Sequence, residues 1–408
     1  MSTANESLEN QGAALSKRRR LQLAVVLGAL STIGPLSIDM YLPALPDLAA
    51  GFHASASSAQ LSLSCFLVGL AAGQLVSGPL SDVYGRRRPL LIGMMLYTLA
   101  SLLCAFSPTI GALAALRLVQ GLAGSVGVVI SRAAVRDLYS GSELTKFFTL
   151  LMIVNGVGPI AAPVIGGQLL RVTDWKGVFL TLFAAGLLFC LMIVFRLPET
   201  LPPERRHSGG LAGTVRTFGT LLRNRMFMGF VLTQSFVTAA MFAYISGSSF
   251  VLQELYGVSA QTYSLIFAMN GLGIILFGQV GGRLAPRLGE RRILEFSLAL
   301  SLGGALLLLG AVLLDGPLPL VLAGLFAVVG SVGPVGTATF SLAMQDQGET
   351  AGSASALLGL LPLLMGSGVA PLVGLGGGGT ALPMAAVITG VSLLALAAYR
   401  LTARGLRS

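Results

Sequence analysis

The segment Gly78–Arg88 reads GPLSDVYGRRR, and the segment Gly282–Arg292, 204 positions further along the chain, reads GRLAPRLGERR. Both segments carry Gly, Leu, Gly, Arg and Arg at the same offsets. Because the chain has 408 residues, the two copies are separated by half of its length. The repeat therefore predicts a protein built from two similar halves.

Long apolar runs surround both copies. The sequence is 54% hydrophobic and only 10% charged, with a mean hydropathy of +0.83, unlike a soluble globular domain. Runs of about 20 to 28 residues can cross a bilayer as helices. We predict spans at residues 21–45, 58–80, 89–107, 110–135, 147–170, 177–196, 226–252, 261–284, 293–313, 318–344, 351–374 and 381–401. The predicted fold class is an all-α integral membrane protein with twelve transmembrane helices in two pseudo-symmetric six-helix bundles.

The repeat and the spans together give a domain division. We expect a cytoplasmic amino-terminal tail, a first six-helix bundle, a cytoplasmic linker, a second bundle and a short tail, at 1–20, 21–196, 197–225, 226–401 and 402–408. Two similar halves around a central site are typical of carriers that rock between inward-open and outward-open states.

Positive charges predict the orientation. Of the 26 Lys and Arg residues, all but Arg117, Arg171 and Lys176 lie in the tails, in the even-numbered loops or at the adjoining helix ends. By the positive-inside rule both termini are cytoplasmic. The net charge of +10 then reflects topology, so we expect no nucleic-acid partner.

Two charged residues lie deep inside predicted spans. Asp39 is about 9 Å below the outer end of the first span, and Arg117 is about 10 Å below the same boundary in the fourth. Charges within a membrane are costly and mark functional sites by default. Both histidines fall in loops, so a carboxylate must carry any proton. We predict that Asp39 and Arg117 couple transport to protons, paired directly or through water; the alternative is an Asp39 that only fixes helix packing.

Nothing in the sequence indicates an enzyme or a cofactor. Cys65, Cys104 and Cys190 each lie alone in an apolar run, without metal-ligand spacing. The patterns G-x-S-x-G, HExxH and GxxxxGK[ST] do not occur. We expect no catalytic residue, no metal and no cofactor.

The loop motif in its setting of twelve spans resembles the major facilitator superfamily. Further matches resemble its Bcr/CflA branch, the proton-coupled exporters of bicyclomycin and chloramphenicol resistance. These matches are DMYLPALP (Asp39–Pro46), RLVQGLAGS (Arg117–Ser125), VRDLYS (Val135–Ser140) and GPIAAPVIGG (Gly158–Gly167). The resemblance implies a multi-pass protein of the bacterial inner membrane.

The resemblance also implies two conformational elements. The first is a latch of the outward-facing state that bridges the halves at the start of helix eleven, near Glu349–Ser355. Its residues are Gly78, Asp82, Gly85, Arg86 and Asp137. The second is the antiporter motif of helix five, where prolines and glycines bend or thin the helix. Its residues are Gly158, Pro159, Pro163, Gly166 and Gly167. Pro286 replaces the acid in the second loop copy, so we expect a strong latch only in the first half.

Polar side chains scattered along the spans predict a cavity for a neutral or zwitterionic amphipathic molecule. The candidates are Tyr41, Asn155, Gln168, Gln234, Tyr244 and Asn270. We predict a monomeric drug/proton antiporter that exports compounds such as chloramphenicol, bicyclomycin or sulfonamides by alternating access. The partners are then the small molecule, protons and the lipid bilayer. A proton-coupled metabolite importer or exporter of the same fold is the alternative.

Overall fold

The structure is a computed structural model that describes the backbone of residues 17–139, 141–206, 218–345, 347, 350–376 and 379–405. Helices dominate these residues, and no β-strand occurs among them. The α-helices, labelled in chain order, are α1 Lys17–Ser31, α2 Ile33–Asp39, α3 Leu45–Gly51, α4 Ala56–Tyr84, α5 Arg87–Ala105, α6 Ile110–Leu138, α7 Gly141–Leu169, α8 Trp175–Arg196, α9 Arg225–Phe250, α10 Ala260–Leu288, α11 Glu290–Leu313, α12 Leu318–Met344, α13 Ala351–Val373 and α14 Leu382–Gly405. Short 3-10 turns occupy Leu42–Ala44, Pro203–Arg205 and Gly374–Gly376, and a π-helical turn, Val251–Leu255, extends α9.

The helices agree with the predicted spans. Ten of them are long and apolar enough to cross a membrane, and the bent pair Gln22–Ser31 and Ile33–Gly51 makes an eleventh span. The remaining predicted span corresponds to α7, whose 29 residues are about 43 Å long. The fold class is the predicted one, an all-α membrane protein.

Prolines break the first span in two places. The pair Gln22–Ser31 and Ile33–Gly51 is bent by 41° at Thr32, because Pro35 has no N–H to donate to the carbonyl of Ser31. Pro43 likewise cannot donate to the carbonyl of Asp39, where α2 ends. The chain then turns and continues as α3, so the first span is longer and more irregular than predicted.

The contacts between helices divide the chain into two compact units. The first unit runs up to Tyr41 and from Val68 to Gly210; the second comprises Leu42–Leu67 and the chain from Leu211 onward. This division differs from the predicted bundles 21–196 and 226–401 in one segment, Leu42–Leu67. That segment precedes the linker in sequence but packs with the second unit.

Hydrogen bonds to α9 and to the π-helical turn that extends it hold this segment in the second unit. Ser249 Oγ donates to the carbonyl of Leu42 at 2.7 Å, and Gln253 Nε2 donates to the carbonyl of Pro43 at 3.2 Å. Further along, Gln60 Nε2 donates to the carbonyl of Ser246 at 3.0 Å. The carbonyl of Leu42 needs such a donor because Pro46, four residues on, offers no N–H.

Each unit has its own apolar core. In the first, buried side chains from α1, α5, α6 and α8 meet, among them Leu27, Tyr97, Ile130 and Ile193. The core of the second unit contains Phe227, Phe230, Leu294, Leu298 and Tyr399. Each of these side chains is at most 5% exposed.

Candidate functional site

Asp39 is the last residue of α2 and lies at the break in the first span. It is 5% exposed, and its carboxylate makes no hydrogen bond or ion pair with any residue that the structure describes. Burying a charged carboxylate without a partner is costly, so the group must be neutral for part of the time or reach water. A proton carrier needs this property.

Arg117 lies beside the same break. The side chain is fully buried in α6, and its Nη2 donates to the carbonyl of Ser37 at 3.0 Å. The guanidinium carbon is 4.9 Å from the centre of the Tyr41 ring and 5.8 Å from that of Phe179. Arg117 therefore contacts residues on both sides of Asp39 in the chain, in agreement with the similar depth predicted for the two charges.

Arg117 and Asp39 do not form an ion pair. None of the guanidinium nitrogens comes within 4.0 Å of the carboxylate. Ser37 and Tyr41 are four residues apart and share one side of the chain, whereas Asp39, between them, lies about 200° around a helix. Of the two arrangements predicted, the structure therefore does not contain the direct pair.

A chain of polar groups orients Arg117. Its Nη1 donates to Gln120 Oε1 at 2.6 Å, and Gln120 Nε2 donates to Ser101 Oγ at 2.7 Å. Ser37 Oγ shares a hydrogen bond of 2.7 Å with the hydroxyl of Tyr97. These contacts join α2, α5 and α6, so the cation is held in one position. Gln120, Ser101 and Tyr97 are site residues that sequence reasoning missed, although Gln120 stands within the RLVQG motif.

The glycines of the antiporter segment pack against the first span. A Cβ on Gly158 would lie 3.3 Å from Pro35 Cβ, and one on Gly166 would lie 2.1 Å from the carbonyl oxygen of Met40. Gly166 thus allows α7 to approach the backbone directly beside Asp39. The helix α7 continues through both Pro159 and Pro163, so these prolines do not end it.

Gly166→Ala is expected to reduce transport strongly, because a side chain cannot fit against the Met40 carbonyl unless α7 or the first span moves. Overpacking of this kind costs about 1–3 kcal/mol of stability. Thermal unfolding and drug efflux should both be measured. Gly390→Ala in α14 is the matched control, since its Cβ would meet nothing within 4 Å. Wild-type efflux by Gly166→Ala would show that the close approach is not needed.

The predicted latch residues of the first unit come together around Arg86. Its Nε donates to Asp137 Oδ2 at 2.8 Å, and its Nη1 donates to Asp82 Oδ1 at 2.5 Å. Burial lowers the pKa of the Arg86 guanidinium, but the hydrogen bonds and charges of Asp137 and Asp82 outweigh it and raise the pKa above its ordinary value. Gly85 provides the turn with φ +84°, which favours glycine. Gly78 is not closely packed, because a Cβ there would be 3.8 Å from Val129.

Glu199, in the linker after α8, completes this cluster and was missed by sequence reasoning. Its Oε1 accepts from the backbone N–H of Arg86 at 2.7 Å, and its Oε2 accepts from that of Arg87 at 3.2 Å. Helix α5 begins with arginines and has no acidic residue in its first turn. Since a helix amino terminus favours negative charge, the basic start of α5 is the signal that could have indicated an acid elsewhere.

Glu199→Gln is expected to lower the thermal stability of the protein by about 1–2 kcal/mol, because the amide removes the negative charge and one acceptor at the start of α5. Glu204→Gln, at an exposed position of the same linker, is the control. Equal unfolding temperatures for the two variants would contradict the capping role.

The second loop copy keeps the glycine with positive φ but has different chemistry. Gly289 has φ +82°, matching Gly85, and Glu290 stands where the first copy has Arg86. Glu290 Oε1 accepts a hydrogen bond from Ser341, which is 204 positions after Asp137. Where the first unit has an ion pair between Arg86 and Asp137, the second unit thus has a hydrogen bond from the neutral hydroxyl of Ser341 to the carboxylate of Glu290.

The predicted cavity residues have different surroundings. Asn270 Nδ2 donates to the Tyr244 hydroxyl at 2.8 Å, and the Tyr244 ring stacks on Phe267 at 5.4 Å. Gln234 accepts from Thr339 at 3.0 Å, which links α9 to α12. Gln168 is exposed. The Asn155 side chain and Glu349 lie outside the described residues.

Glu295 and Glu254 are two further carboxylates near the ends of spans. Glu295, in the second turn of α11, accepts from the Tyr399 hydroxyl at 2.8 Å. Glu254 lies in the π-helical turn that ends the α9 span. Neither lies beside a buried cation as Asp39 does.

Comparison with known proteins gives a matching family model and relatives that align over most of this chain. The model of the Major Facilitator Superfamily matches residues 27–371. An uncharacterized MFS-type transporter, YdgK of Bacillus subtilis, is 47% identical over 91% of this chain and 92% of its own length. A bicyclomycin resistance protein homolog of Haemophilus influenzae is 31% identical over 94% of this chain and 97% of its own length.

A solved structure with the same fold is the nucleoside transporter NupG, as its D323A mutant. It superposes with a TM-score of 0.77 and covers 94% of this chain and 99% of its own, at 13% identity. At this identity the likeness concerns the fold alone.

Proposed function

Since this chain belongs to the Major Facilitator Superfamily and is therefore a transporter rather than an enzyme, we propose that it exports small amphipathic drugs in exchange for protons. The Haemophilus relative named for bicyclomycin resistance supports a drug as the substrate. We place the protein in the bacterial inner membrane, as a monomer with both termini in the cytoplasm.

The observation that carries the proton coupling is the environment of Asp39. A buried carboxylate without a hydrogen-bond partner among the described residues sits at a helix break, beside a fully buried Arg117. Its protonation must respond to changes in water access and nearby charge, because either term shifts the balance between the neutral and ionised forms. A substrate that binds beside it can therefore displace its proton.

Arg117 tunes this site from a fixed position. The hydrogen bonds to Ser37 and Gln120 prevent the guanidinium from following the carboxylate. A small movement of the broken first span then alters the separation between the two charges. In a medium of low dielectric constant their interaction depends strongly on that separation.

The proton gradient is sufficient for this exchange. One proton moving inward releases about 1.4 kcal/mol per pH unit and about 2.3 kcal/mol per 100 mV. Each 1.4 kcal/mol supports a tenfold outward gradient of a neutral compound. ATP is not needed for such an exporter.

The cluster around Arg86 has the conformational role. We infer that Arg86 and Asp137 stay paired in both states. Asp82, which is about half exposed, moves away from them and contacts the other half of the protein in the outward-facing state. Asp137 is more buried and also accepts a hydrogen bond from Thr200. The cluster thus has one structural acid and one acid free to change partner.

The direct test is growth of an efflux-deficient bacterium that expresses this chain. The panel should contain chloramphenicol, florfenicol, bicyclomycin and sulfonamides. We expect resistance to at least one of them, lost when the proton gradient is collapsed. Uptake into inverted vesicles then separates the two functions, since an exporter accumulates the drug when the interior is acidified and a proton-coupled importer does not.

A further inference from the structure

A groove on the first unit has no role in the function proposed above. It lies between α4, α5 and α6 and has a volume of about 370 Å³. Large apolar side chains border it and remain exposed: Val76 is 57% exposed, Ile92 61% and Leu122 49%. In a membrane-spanning unit, such a surface faces lipid.

Two glycines that line the groove pack against α6. A Cβ on Gly73 would lie 2.3 Å from Ser125 Oγ, and one on Gly93 would lie 2.6 Å from Val126 Cγ1. Both positions therefore exclude side chains, so α4 and α5 pack closely against α6 at the groove. Gly73, Gly93 and Ala123 line the groove together with the large apolar side chains, and this lining fits a hydrocarbon chain.

Arg88 lies at one end of the groove. Each of the three consecutive arginines has a different environment, and Arg86 is bound by Asp82 and Asp137. Arg87 donates to the carbonyl of Val194 at 2.6 Å. Arg88 is exposed, lines the groove with Tyr84, and forms no hydrogen bond or ion pair within the described ranges. Its guanidinium is available to an anion outside the protein.

The length of the groove corresponds to one leaflet. The groove extends along α4 from Tyr84 to Gly73, eleven positions that span about 16 Å at ~1.5 Å per residue. Half of the hydrocarbon core of a bilayer is about 15 Å. An acyl chain in the groove would therefore end near the bilayer centre, with its headgroup beside Arg88.

At the positions of the second half that correspond to this groove in the repeat, the surroundings differ. Phe277 stands where the first half has Gly73, and its ring packs against Phe326 at 5.6 Å. A recess of about 580 Å³ at the end of α10 is lined instead by the carboxylate of Glu290. This recess would repel an anion although Arg292 corresponds to Arg88 in the repeat.

We propose that the groove binds one anionic phospholipid, with its phosphate on Arg88 and an acyl chain along Gly73 and Gly93. The charge of Arg88 favours an anionic headgroup over a zwitterionic one, because the ammonium group of the latter offsets the attraction. By the positive-inside rule this end of the unit faces the cytoplasm, so the lipid belongs to the inner leaflet.

The test is a titration of the purified full-length protein, followed by native mass spectrometry. The probes are phosphatidylglycerol and phosphatidylcholine with the same acyl chains. We expect tighter binding of phosphatidylglycerol, weakened about tenfold by Arg88→Gln, which removes one charge-assisted contact. Arg292→Gln, at the matching position of the repeat, should bind as the wild type does.

A second variant tests the groove independently of charge. Ile92→Trp fills it from an exposed position and should reduce phosphatidylglycerol binding, whereas Leu265→Trp, equally exposed on α10, should not. Equal affinity for the two lipids, or an equal loss in Arg88→Gln and Arg292→Gln, would overturn the proposal. So would unchanged binding in Ile92→Trp.

Discussion

Asp39→Asn is expected to abolish the proton release that drug binding causes, while the protein remains folded and inserted. The amide keeps the shape of the side chain but has no titratable proton. Drug export driven by the proton gradient should fall to the level of cells without the protein. Some drug binding can survive, because the substitution leaves the other side chains of the site unchanged.

The stability of this variant separates a proton carrier from a packing residue. The Asp39 carboxylate has no hydrogen bond among the described residues, so its burial opposes folding whenever it is ionised. Replacing it with a neutral amide should leave the unfolding temperature unchanged or raise it. A residue that fixed helix packing through its charge would behave in the opposite way.

The measurement is proton release in weakly buffered detergent on addition of the drug to which the chain confers resistance. It should be recorded from pH 5 to 9 for the wild type and the variant. Asp47→Asn is the matched control, an exposed aspartate in α3 of the same broken span. If Asp39→Asn releases protons as the wild type does, the proton carrier is another residue.

The sequence was a sufficient guide to the fold. Hydropathy and the repeat at Gly78 and Gly282 predicted the spans, and α12 begins and ends at the predicted residues, 318 and 344. The first span was the exception, because mean hydropathy does not detect the positions where a proline leaves a helix carbonyl without its N–H donor. Pro35 and Pro43 carried that information.

The candidate site was predictable in part. The position of a residue along a spanning helix predicts its depth in the membrane, and Arg117 does contact the residues on either side of Asp39. The depth of a residue does not say which side of its helix the residue faces. The absence of an ion pair between Arg117 and Asp39 could therefore not be predicted. The contact between Glu199 and the start of α5 joins positions 112 and 113 residues apart. Such a contact depends on packing, which one sequence does not reveal.

Asp82→Asn is expected to reduce transport severely while changing stability little. In the first unit Asp82 is half exposed, and its ion pair with Arg86 is an i,i+4 contact at a helix end. The pair is only partly shielded from water because its acid is half exposed, and Arg86 keeps its contact with Asp137, so the loss of stability should be about 0–1 kcal/mol. If this local pair were its whole role, the substitution would have almost no effect on transport. A severe loss therefore requires a partner in another conformation.

Asp137→Asn is the informative comparison, because Asp137 holds Arg86 from a less exposed position than Asp82 and accepts from Thr200. Losing that carboxylate leaves a buried guanidinium with one acid fewer and should lower the unfolding temperature. Initial rates of efflux and thermal unfolding should be measured for both variants. The latch role of Asp82 predicts loss of rate without loss of stability, and wild-type rates in Asp82→Asn would limit this residue to its local ion pair with Arg86.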